Sequence, residues 1–369
     1  MNKLGLGFLR LPMTGEEGAK VIDMAAAQAI VDRYIEKGGK YFDTAYTYLD
    51  GTSEPALREV LVKRYPRESF MLADKIPSWK PTSYEDAWKY VDEMLERCGV
   101  EYFDVLMLHW LNAAHYDIVE KYDGFRVLRE AKEKGIAREI GFSFHDSAEV
   151  LERILSAHPE VDYVLMQINY LDWENAGVQS RLCYETAMRH GKKIIVMEPV
   201  KGGTLANVPE EAMELFEKAA PGRTPAEWAV KFVKGLPGVT IMLSGMGAPE
   251  QVDQNIAPME PMTEEELEVI DKVREIILGK TAIPCTGCRY CVDHTPSCPM
   301  NINIPEYFKL YNAIKRYPGD GWKIKPAFND MTTRYGAPSQ CIKCRMCERN
   351  CPQQLHITDL LQQVAEEFK

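Results

Sequence analysis

The sequence of 369 residues predicts an α/β protein: a (β/α)8 TIM barrel followed by a small, mainly helical domain. Three observations support this fold class. Short apolar runs alternate with amphipathic segments eight times over about 250 residues, which is the length typical of such a barrel. Several runs are apolar almost throughout, as expected of parallel strands buried on both faces. Cysteine content and charge both change near residue 280.

Eight segments have the length and apolar character of barrel strands. They are Leu4–Leu9, Lys40–Ala45, Phe70–Lys75, Asp104–Trp110, Glu139–Phe144, Asp162–Ile168, Lys193–Pro199 and Val239–Ser244. Helices are predicted between them at Ala25–Lys37, Tyr84–Cys98, Gly124–Lys134 and Ala148–Ala157. A doubly wound open sheet is the alternative, but no G-x-G-x-x-G motif follows a strand and opens a helix. We therefore assign residues 1–257 to a barrel domain.

A boundary follows this domain. The stretch 257–262 is rich in proline and methionine, and Thr263-Glu-Glu-Glu266 has the pattern of a capping box that starts a helix. We assign residues 258–280 to this linker and helix, and residues 281–369 to the cysteine-rich helical domain. Ile304–Arg316 is a further helix-like segment there.

Composition excludes several classes of protein. Hydrophobic residues make up 46% and charged residues 27%, which is typical of a globular protein with a large core. The apolar runs are only strand-length and the N-terminus has no long apolar region, so we expect a soluble cytoplasmic protein with no membrane partner. The net charge of −11 argues against a nucleic-acid partner, because phosphate binding requires a basic surface.

Charged and polar side chains close several of the predicted strands. In a TIM barrel the chemistry lies at the C-terminal ends of the strands, where Asp43, Lys75 and His109 would share one rim. Burial of these groups is costly unless they pair, so we expect an ion pair between Asp43 and Lys75. Lys75 should lower the pKa of the nearby Tyr48 phenol, which would then act as a general acid toward a carbonyl oxygen. His109 could orient that oxygen.

The same residues resemble the aldo-keto reductase family over residues 3–257. The shared motifs are D-T-A-x-x-Y at 43–48, the A-D-K and L-H-W strand ends, G-F-S at 141–143, Gln167, and a Gly-to-Asn segment from Gly245 to Asn255. The resemblance implies a catalytic tetrad of Asp43, Tyr48, Lys75 and His109. It also implies hydride transfer from a nicotinamide cofactor to a small aldehyde or ketone, with the tyrosine protonating the oxygen.

The family resemblance implies cofactor contacts as well. The nicotinamide amide would lie near Ser143 and Gln167, the pyrophosphate along Glu198–Gly203, and the adenosine against Gly245, Gln251 and Asn255. This sequence has Phe144 where the family commonly has asparagine, and Met197 where it often has tyrosine. Gly247 and Gln251 offer no cation to a 2′-phosphate, so NADP and NAD both stay candidates.

Eight of the ten cysteines form two runs in the last 90 or so residues. The first is C-x2-C-x2-C-x6-C-P at Cys285, Cys288, Cys291 and Cys298, and the second is C-x2-C-x2-C-x3-C-P at Cys341, Cys344, Cys347 and Cys351. This spacing matches the bacterial ferredoxin run, which holds 4Fe–4S clusters. Structural zinc is the alternative, but it normally uses two C-x-x-C pairs and needs no third cysteine. We therefore expect two 4Fe–4S clusters.

The resemblance to two-cluster ferredoxins implies a ligand exchange between the runs. One cluster would use Cys285, Cys288, Cys291 and Cys351, and the other Cys341, Cys344, Cys347 and Cys298. The long gap between the runs is similar to that of helical ferredoxin modules in respiratory enzymes. The clusters would either transfer electrons or stabilise the domain.

Joining a hydride site to 4Fe–4S clusters raises a question of electron number. Each cluster passes one electron, whereas hydride transfer moves two, and a flavin can split such a pair. Residues 281–369 hold 11 Lys+Arg and 8 Asp+Glu, which would suit an acidic ferredoxin or flavodoxin as partner. The alternatives to a nicotinamide-dependent reductase are a ferredoxin- or flavin-linked oxidoreductase and a redox-sensing protein without catalysis.

Overall fold

A computed structural model describes residues 3–15, 20–257, 259–293, 297–316, 319 and 321–369, with the backbone alone at 316 and 323. Pro258, the first residue of the predicted linker, lies outside the described residues. None of the helices in this described part combines the length and apolar character needed to cross a bilayer.

The strands confirm the predicted barrel. In chain order they are β1 Leu4–Gly7, β2 Met13–Thr14, β3 Val21–Ile22, β4 Tyr41–Asp43, β5 Met71–Pro77, β6 Phe103–Leu111, β7 Ala137–Phe144, β8 Tyr163–Gln167, β9 Lys193–Met197 and β10 Val239–Ser244. Eight of them close into a parallel barrel in the order β1-β10-β9-β8-β7-β6-β5-β4. β2 and β3 form a separate antiparallel pair, which the sequence analysis did not predict.

The helices follow the strands as expected of a (β/α)8 fold. They are α1 Met24–Glu36, α2 Ser53–Leu57, α3 Tyr84–Cys98, α4 Ala113–Lys121, α5 Gly124–Glu133, α6 Ala148–Ala157, α7 Ser180–Arg189, α8 Glu210–Ala219, α9 Pro225–Gly235, α10 Pro249–Ile256, α11 Glu264–Lys280, α12 Tyr290–Asp293, α13 Ile304–Arg316, α14 Gly321–Arg334, α15 Met346–Arg349 and α16 Ile357–Glu367. The predicted bounds of α3, α6 and α13 agree with the structure at both ends.

Local capping explains why several helices begin where they do. The side chain of Ser83 accepts a hydrogen bond from the Asp86 backbone at the start of α3, and Thr263 forms the predicted capping box with Glu266 at the start of α11. Gly99 ends α3 in the left-handed conformation, with φ of 70°. These local signals are readable in sequence, which is why the predicted bounds are close.

Side chains fill the barrel interior in layers, as is usual for this fold. Inward-facing residues from six of the eight strands pack together, including Tyr41, Ala73, Met107, Ile195 and Leu243. Gly141 on β7 lies so close to the Tyr163 carbonyl of β8 that a Cβ atom would overlap it. Among the described residues, the barrel interior is therefore a packed core.

The chain forms two compact units. The first comprises Met1–Asn175, Gln179–Pro199 and Ala229–Met262; the second comprises Ala176–Val178, Val200–Trp228 and Thr263–Lys369. The second unit has its own core, built from Ile283, Tyr307, Phe308, Ile357 and Leu361 together with cysteine side chains. The residue boundaries proposed for the domains stay a sequence-based prediction.

Candidate active site and cysteine cavities

The four predicted catalytic side chains lie together at the C-terminal ends of neighbouring strands. Asp43 ends β4, Lys75 lies in β5 and His109 lies in β6, while Tyr48 follows β4 in a short turn. All four are buried, with Lys75 fully so and Tyr48 9% exposed. Parallel strand ends share one rim, so the sheet topology brings together residues that are far apart in sequence.

Lys75 is the centre of this group. Its ammonium donates hydrogen bonds of 2.6 Å to Asp43 Oδ1 and 2.6 Å to the Thr44 carbonyl, and lies 3.3 Å from the Tyr48 hydroxyl oxygen. The predicted ion pair between Asp43 and Lys75 is thus present. Burial raises the pKa of Asp43, and the adjacent Lys75 opposes that rise. A buried pair of this kind is stabilising only while both partners remain.

The pKa of Tyr48 differs from the sequence-based expectation. Lysine was expected to lower it, but the structure raises it well above the ordinary tyrosine value, chiefly through burial and then through the negative charges of Asp43, Asp74 and Glu198. That expectation was wrong in direction, because burial of the phenol outweighs one nearby ammonium. Tyr48 is consequently a protonated phenol at neutral pH and has a proton to give.

His109 lies in an aromatic wall beside Tyr48. Its ring centroid is 5.5 Å from that of Tyr48 and 5.7 Å from that of Trp79. Trp79 also packs edge-on against Trp110, at 5.4 Å, and stacks on His115. These rings give one side of the site an aromatic, largely apolar surface.

The two side chains predicted to hold a nicotinamide amide lie at the ends of β7 and β8. Ser143 Oγ accepts a 2.6 Å hydrogen bond from the Trp110 backbone amide, which leaves the Ser143 hydroxyl proton available to donate. Gln167 donates a 2.7 Å hydrogen bond to Asp172 Oδ2. Both side chains are buried and held by protein partners, so they are fixed in position at the rim.

Two of the remaining predicted cofactor residues, Glu198 and Gly245, lie beside Arg10, a cation that the sequence analysis missed. Arg10, just after β1, approaches Glu198 Oε1 at 3.3 Å, and its side chain packs against Gly245, where a Cβ atom would come within 2.9 Å of Arg10 Cβ. Gln251 accepts a hydrogen bond from the Gly247 amide, and Asn255 donates to Ser244. An arginine beside these segments offers an anion the positive charge that Gly247 and Gln251 lack.

A second group that the sequence analysis missed includes Asp74, the residue before Lys75 in the chain. The side chains of Glu54, Asp74 and Cys98 are fully buried, and Cys98 donates to Asp74 across 3.4 Å. Burial raises the pKa of both carboxyl groups. The charge of Asp74 raises the pKa of Glu54 further, whereas the hydrogen bond with Glu54 lowers the pKa of Asp74. Arg97 lies 3.1 Å from Glu54. Only the fold joins these residues, because they come from α2, β5 and α3.

The eight clustered cysteines surround two separate cavities in the second unit. One is lined by Cys285, Cys288, Cys291 and Cys351, and the other by Cys298, Cys341, Cys344 and Cys347. Each cavity takes three cysteines from one run and the fourth from the other run, which is the exchange that the ferredoxin resemblance implied. Ile304 lines both cavities, and a few polar residues also contribute, such as Arg345 in one and Gln353 in the other. Each cavity thus combines four sulfur donors with apolar walls.

Burial keeps several of these thiols protonated in the absence of a metal. It raises the pKa of Cys285 and of Cys351 to about 11 and that of Cys347 to about 12. Only thiolates bind iron, so metal binding must release these protons and supply compensating positive charge. The donor set and its shape fit a four-iron cluster in each cavity.

A loop that follows β9 in sequence packs on the first of these cavities within the second unit. A Cβ atom on Gly202 would overlap the carbonyl oxygen of Thr286, which lies between two cysteines. The buried Lys201 ammonium donates to Gln353 at 3.1 Å and favours the thiolate form of Cys285. Within the segment predicted to lie along a pyrophosphate, Lys201 and Gly202 thus contact residues near the cysteines, and the pyrophosphate contact stays a prediction.

Comparison with known proteins agrees with both halves of this structure. Residues 3–275 match the family model described as the aldo/keto reductase family, and residues 284–357 match that of the 4Fe-4S dicluster domain. An aldo-keto reductase of Mycobacterium avium is 26% identical over 247 residues, covering 67% of this chain and 80% of that protein. The 9,11-endoperoxide prostaglandin H2 reductase of Trypanosoma cruzi is 26% identical, covering 74% and 88%.

Solved structures show the same barrel. The holo form of the aldo-keto reductase AKR11C1 from Bacillus halodurans has a TM-score of 0.61 at 23% identity, covering 73% of this chain and 91% of that one. An aldo/keto reductase from Klebsiella pneumoniae, solved in complex with NADP and acetate, has a TM-score of 0.59 at 20% identity, covering 74% and 91%. With a family match over most of its length and this barrel, the chain belongs to the aldo/keto reductase family of oxidoreductases and carries a 4Fe–4S dicluster domain after its barrel.

Proposed function

We propose that this protein reduces the carbonyl group of a small aldehyde or ketone with a reduced nicotinamide cofactor. The observation that carries this proposal is the chain of contacts from Asp43 through Lys75 to the Tyr48 hydroxyl, with the His109 ring beside it. Carbonyl reduction needs a proton at the oxygen and a hydride at the carbon, and this group is suited to deliver the proton.

Each tetrad residue has a separate part in that proton transfer. Tyr48 holds the proton, because its raised pKa keeps the phenol protonated at neutral pH. As negative charge develops on the substrate oxygen, the phenol proton moves to it, and the nearby Lys75 ammonium stabilises the phenolate that forms. Asp43 holds Lys75 in place. In this proposal His109, whose ring lies beside Tyr48, hydrogen-bonds the same oxygen and orients it.

The protein provides fixed groups for a nicotinamide cofactor. A reduced nicotinamide, when bound, supplies the hydride to the carbonyl carbon. In this proposal Ser143 and Gln167, which are held at the strand ends by Trp110 and Asp172, bind its amide, and Arg10 binds a phosphate near Gly245. The NADP complex of the Klebsiella pneumoniae reductase supports the use of such a cofactor. Arg10 makes NADP the first cofactor to test, with NAD as the comparison.

The two cysteine cavities would hold one 4Fe–4S cluster each. In this proposal Cys285, Cys288, Cys291 and Cys351 bind one cluster, and Cys298, Cys341, Cys344 and Cys347 bind the other. The four sulfur donors per cavity and the match to a dicluster domain support this assignment.

The test is carbonyl reduction by protein purified without oxygen. Oxidation of NADPH or NADH is followed with a panel of aldehydes and ketones, for the unchanged protein and for Tyr48→Phe. We expect Tyr48→Phe to lose roughly 1,000-fold in kcat, because it removes the proton donor. Cofactor binding, measured by fluorescence titration, should stay the same.

Tyr46→Phe is the matched control. Tyr46 lies two residues away, and its hydroxyl donates to Glu93 outside the tetrad, at 2.6 Å. It should retain most of the turnover. Full turnover in Tyr48→Phe would show that Tyr48 is not the proton donor. The absence of any nicotinamide affinity would contradict the proposal as a whole.

A further inference from the structure

The loop that carries Cys344 is the most exposed part of either cysteine cavity. Four residues in a row, Ile342 to Arg345, are exposed, and Cys344 is itself one of the cavity-lining cysteines. Ile342 is 59% exposed, which is unusual for a large apolar side chain. Exposed apolar groups of this kind commonly mark a contact surface for another molecule.

The other cavity differs in this respect. Its corresponding loop, between Cys285 and Cys288, has a buried Thr286, whose carbonyl lies against Gly202. Lys201 and Gln353 are also buried beside it. Of the eight clustered cysteines, Cys344 is the exposed one. Electron transfer between proteins requires a close approach, so the exposed loop at Cys344 suits a carrier better than the loop covered by Gly202.

Charge at this loop is positive. Lys343, Arg345 and Arg349 are all exposed. The acidic neighbour Glu348 is only 16% exposed, lies 3.8 Å from Arg345, and accepts hydrogen bonds from the backbone and hydroxyl of Thr358. The loop therefore presents cations around an apolar centre, on a protein whose overall charge is −11. Such a local patch attracts and orients a negatively charged partner.

We propose that the segment Ile342–Arg345, with Arg349, is the docking surface for a small acidic one-electron carrier protein of the ferredoxin type. Ile342 would pack against the carrier, and the cations would pair with its carboxylates. Each encounter would move one electron from the reduced carrier to the oxidised cluster held by Cys298, Cys341, Cys344 and Cys347. The carrier is then oxidised by one electron and the cluster reduced by one, with no proton required. This inference rests on the proposed presence of clusters but not on the carbonyl substrate.

The test measures electron transfer from a photochemically reduced, acidic plant-type 2Fe–2S ferredoxin. Iron and sulfide are determined first, and rates are expressed per cluster. The unchanged protein is compared with the double variant Lys343→Glu, Arg345→Glu in a stopped-flow experiment at low ionic strength. We expect the second-order rate constant to fall roughly tenfold or more in the variant, and its dependence on salt to weaken.

The control variant is Lys309→Glu, Lys325→Glu. It changes the net charge by the same amount, at two exposed lysines on α13 and α14 outside the loop. Its rate should stay within about twofold of that of the unchanged protein. Reduction by dithionite, which needs no protein docking, should reach the same extent in all three proteins. Equal losses in both variants, no loss in the loop variant, or no transfer to the unchanged protein would each overturn the proposal.

These outcomes are distinguishable from failure of the carbonyl reductase proposal. Nicotinamide-dependent turnover is measured separately on the same samples and depends on residues of the barrel. If the protein accepts electrons at this loop but reduces no carbonyl, the docking surface is supported and only the proposed carbonyl reduction is refuted. If it reduces carbonyls but accepts no electrons at this loop, the docking proposal is refuted and the reductase proposal stands.

Discussion

The barrel site and the cysteine cavities hold their functional side chains in opposite ways. Asp43, Lys75 and His109 lie on strands of a closed sheet, where pairing with a neighbouring strand fixes their backbone. The cysteines lie on loops and short helical turns, and residues between them, such as Lys343 and Arg345, take left-handed backbone conformations. A closed sheet is stable by itself, whereas loops of this kind depend on what binds them. The barrel site should therefore be preorganised, and the cysteine domain should depend on metal.

Removal of iron should have the largest effect and should separate the two regions. Without metal, the buried thiols of Cys285, Cys347 and Cys351 take up protons, and the four-fold cross-links at each cavity are lost. We expect the region 281–369 to become sensitive to protease while the barrel stays folded. Limited proteolysis with mass spectrometry, before and after treatment with a chelator without oxygen, measures this. Cleavage that begins within the barrel strands would contradict the comparison.

Lys75→Met should have the next largest effect and should act on the barrel alone. It removes the ammonium that lies beside Tyr48 and leaves the buried Asp43 carboxylate without its ion-pair partner. We expect kcat to fall by roughly 100-fold or more and stability to fall by about 3 kcal/mol. Steady-state kinetics and urea unfolding measure the two effects. The visible spectrum of the clusters is the control and should not change.

Lys201→Met should act on one cluster alone. The Lys201 ammonium is buried near Cys285, and a positive charge favours the more negative, reduced form of a cluster. We expect the midpoint potential of that cluster to fall by on the order of tens of millivolts. A redox titration followed by electron paramagnetic resonance measures it, with the second cluster as the internal reference. Equal shifts of both potentials would show that Lys201 is not specific to the first cavity.

Glu54→Gln should have the smallest effect, on the pH dependence of barrel stability. Burial raises the pKa of Glu54 and Asp74 in the folded protein above ordinary carboxyl values, so the folded state binds more protons than the unfolded state in that range. Stability from this pair is therefore greatest at low pH and is lost as pH rises through the raised values. Glutamine does not titrate, so the loss of stability between about pH 5 and about pH 8 should shrink by about 1 kcal/mol. Urea unfolding followed by tryptophan fluorescence compares the two proteins, and an unchanged slope would refute the role of Glu54.

The sequence by itself determined the order of the elements and the positions of the main chemical groups. Continuous apolar runs marked the eight strands, and capping residues such as Ser83 and Thr263 marked helix starts, because both signals act over only a few residues. The tetrad was found because strand ends in a parallel barrel must meet at one rim. The spacing of the cysteines within each run likewise depends on short loops.

Only the tertiary structure decided the contacts that join distant segments. Arg10 at Gly245, Lys201 at Gln353, and the group of Glu54, Asp74 and Cys98 are each brought together by the fold. The raised pKa of Tyr48 depends in the same way on burial that no local pattern encodes. Periodicity and spacing report on neighbours along the chain, whereas desolvation and the distance between charges depend on packing in three dimensions.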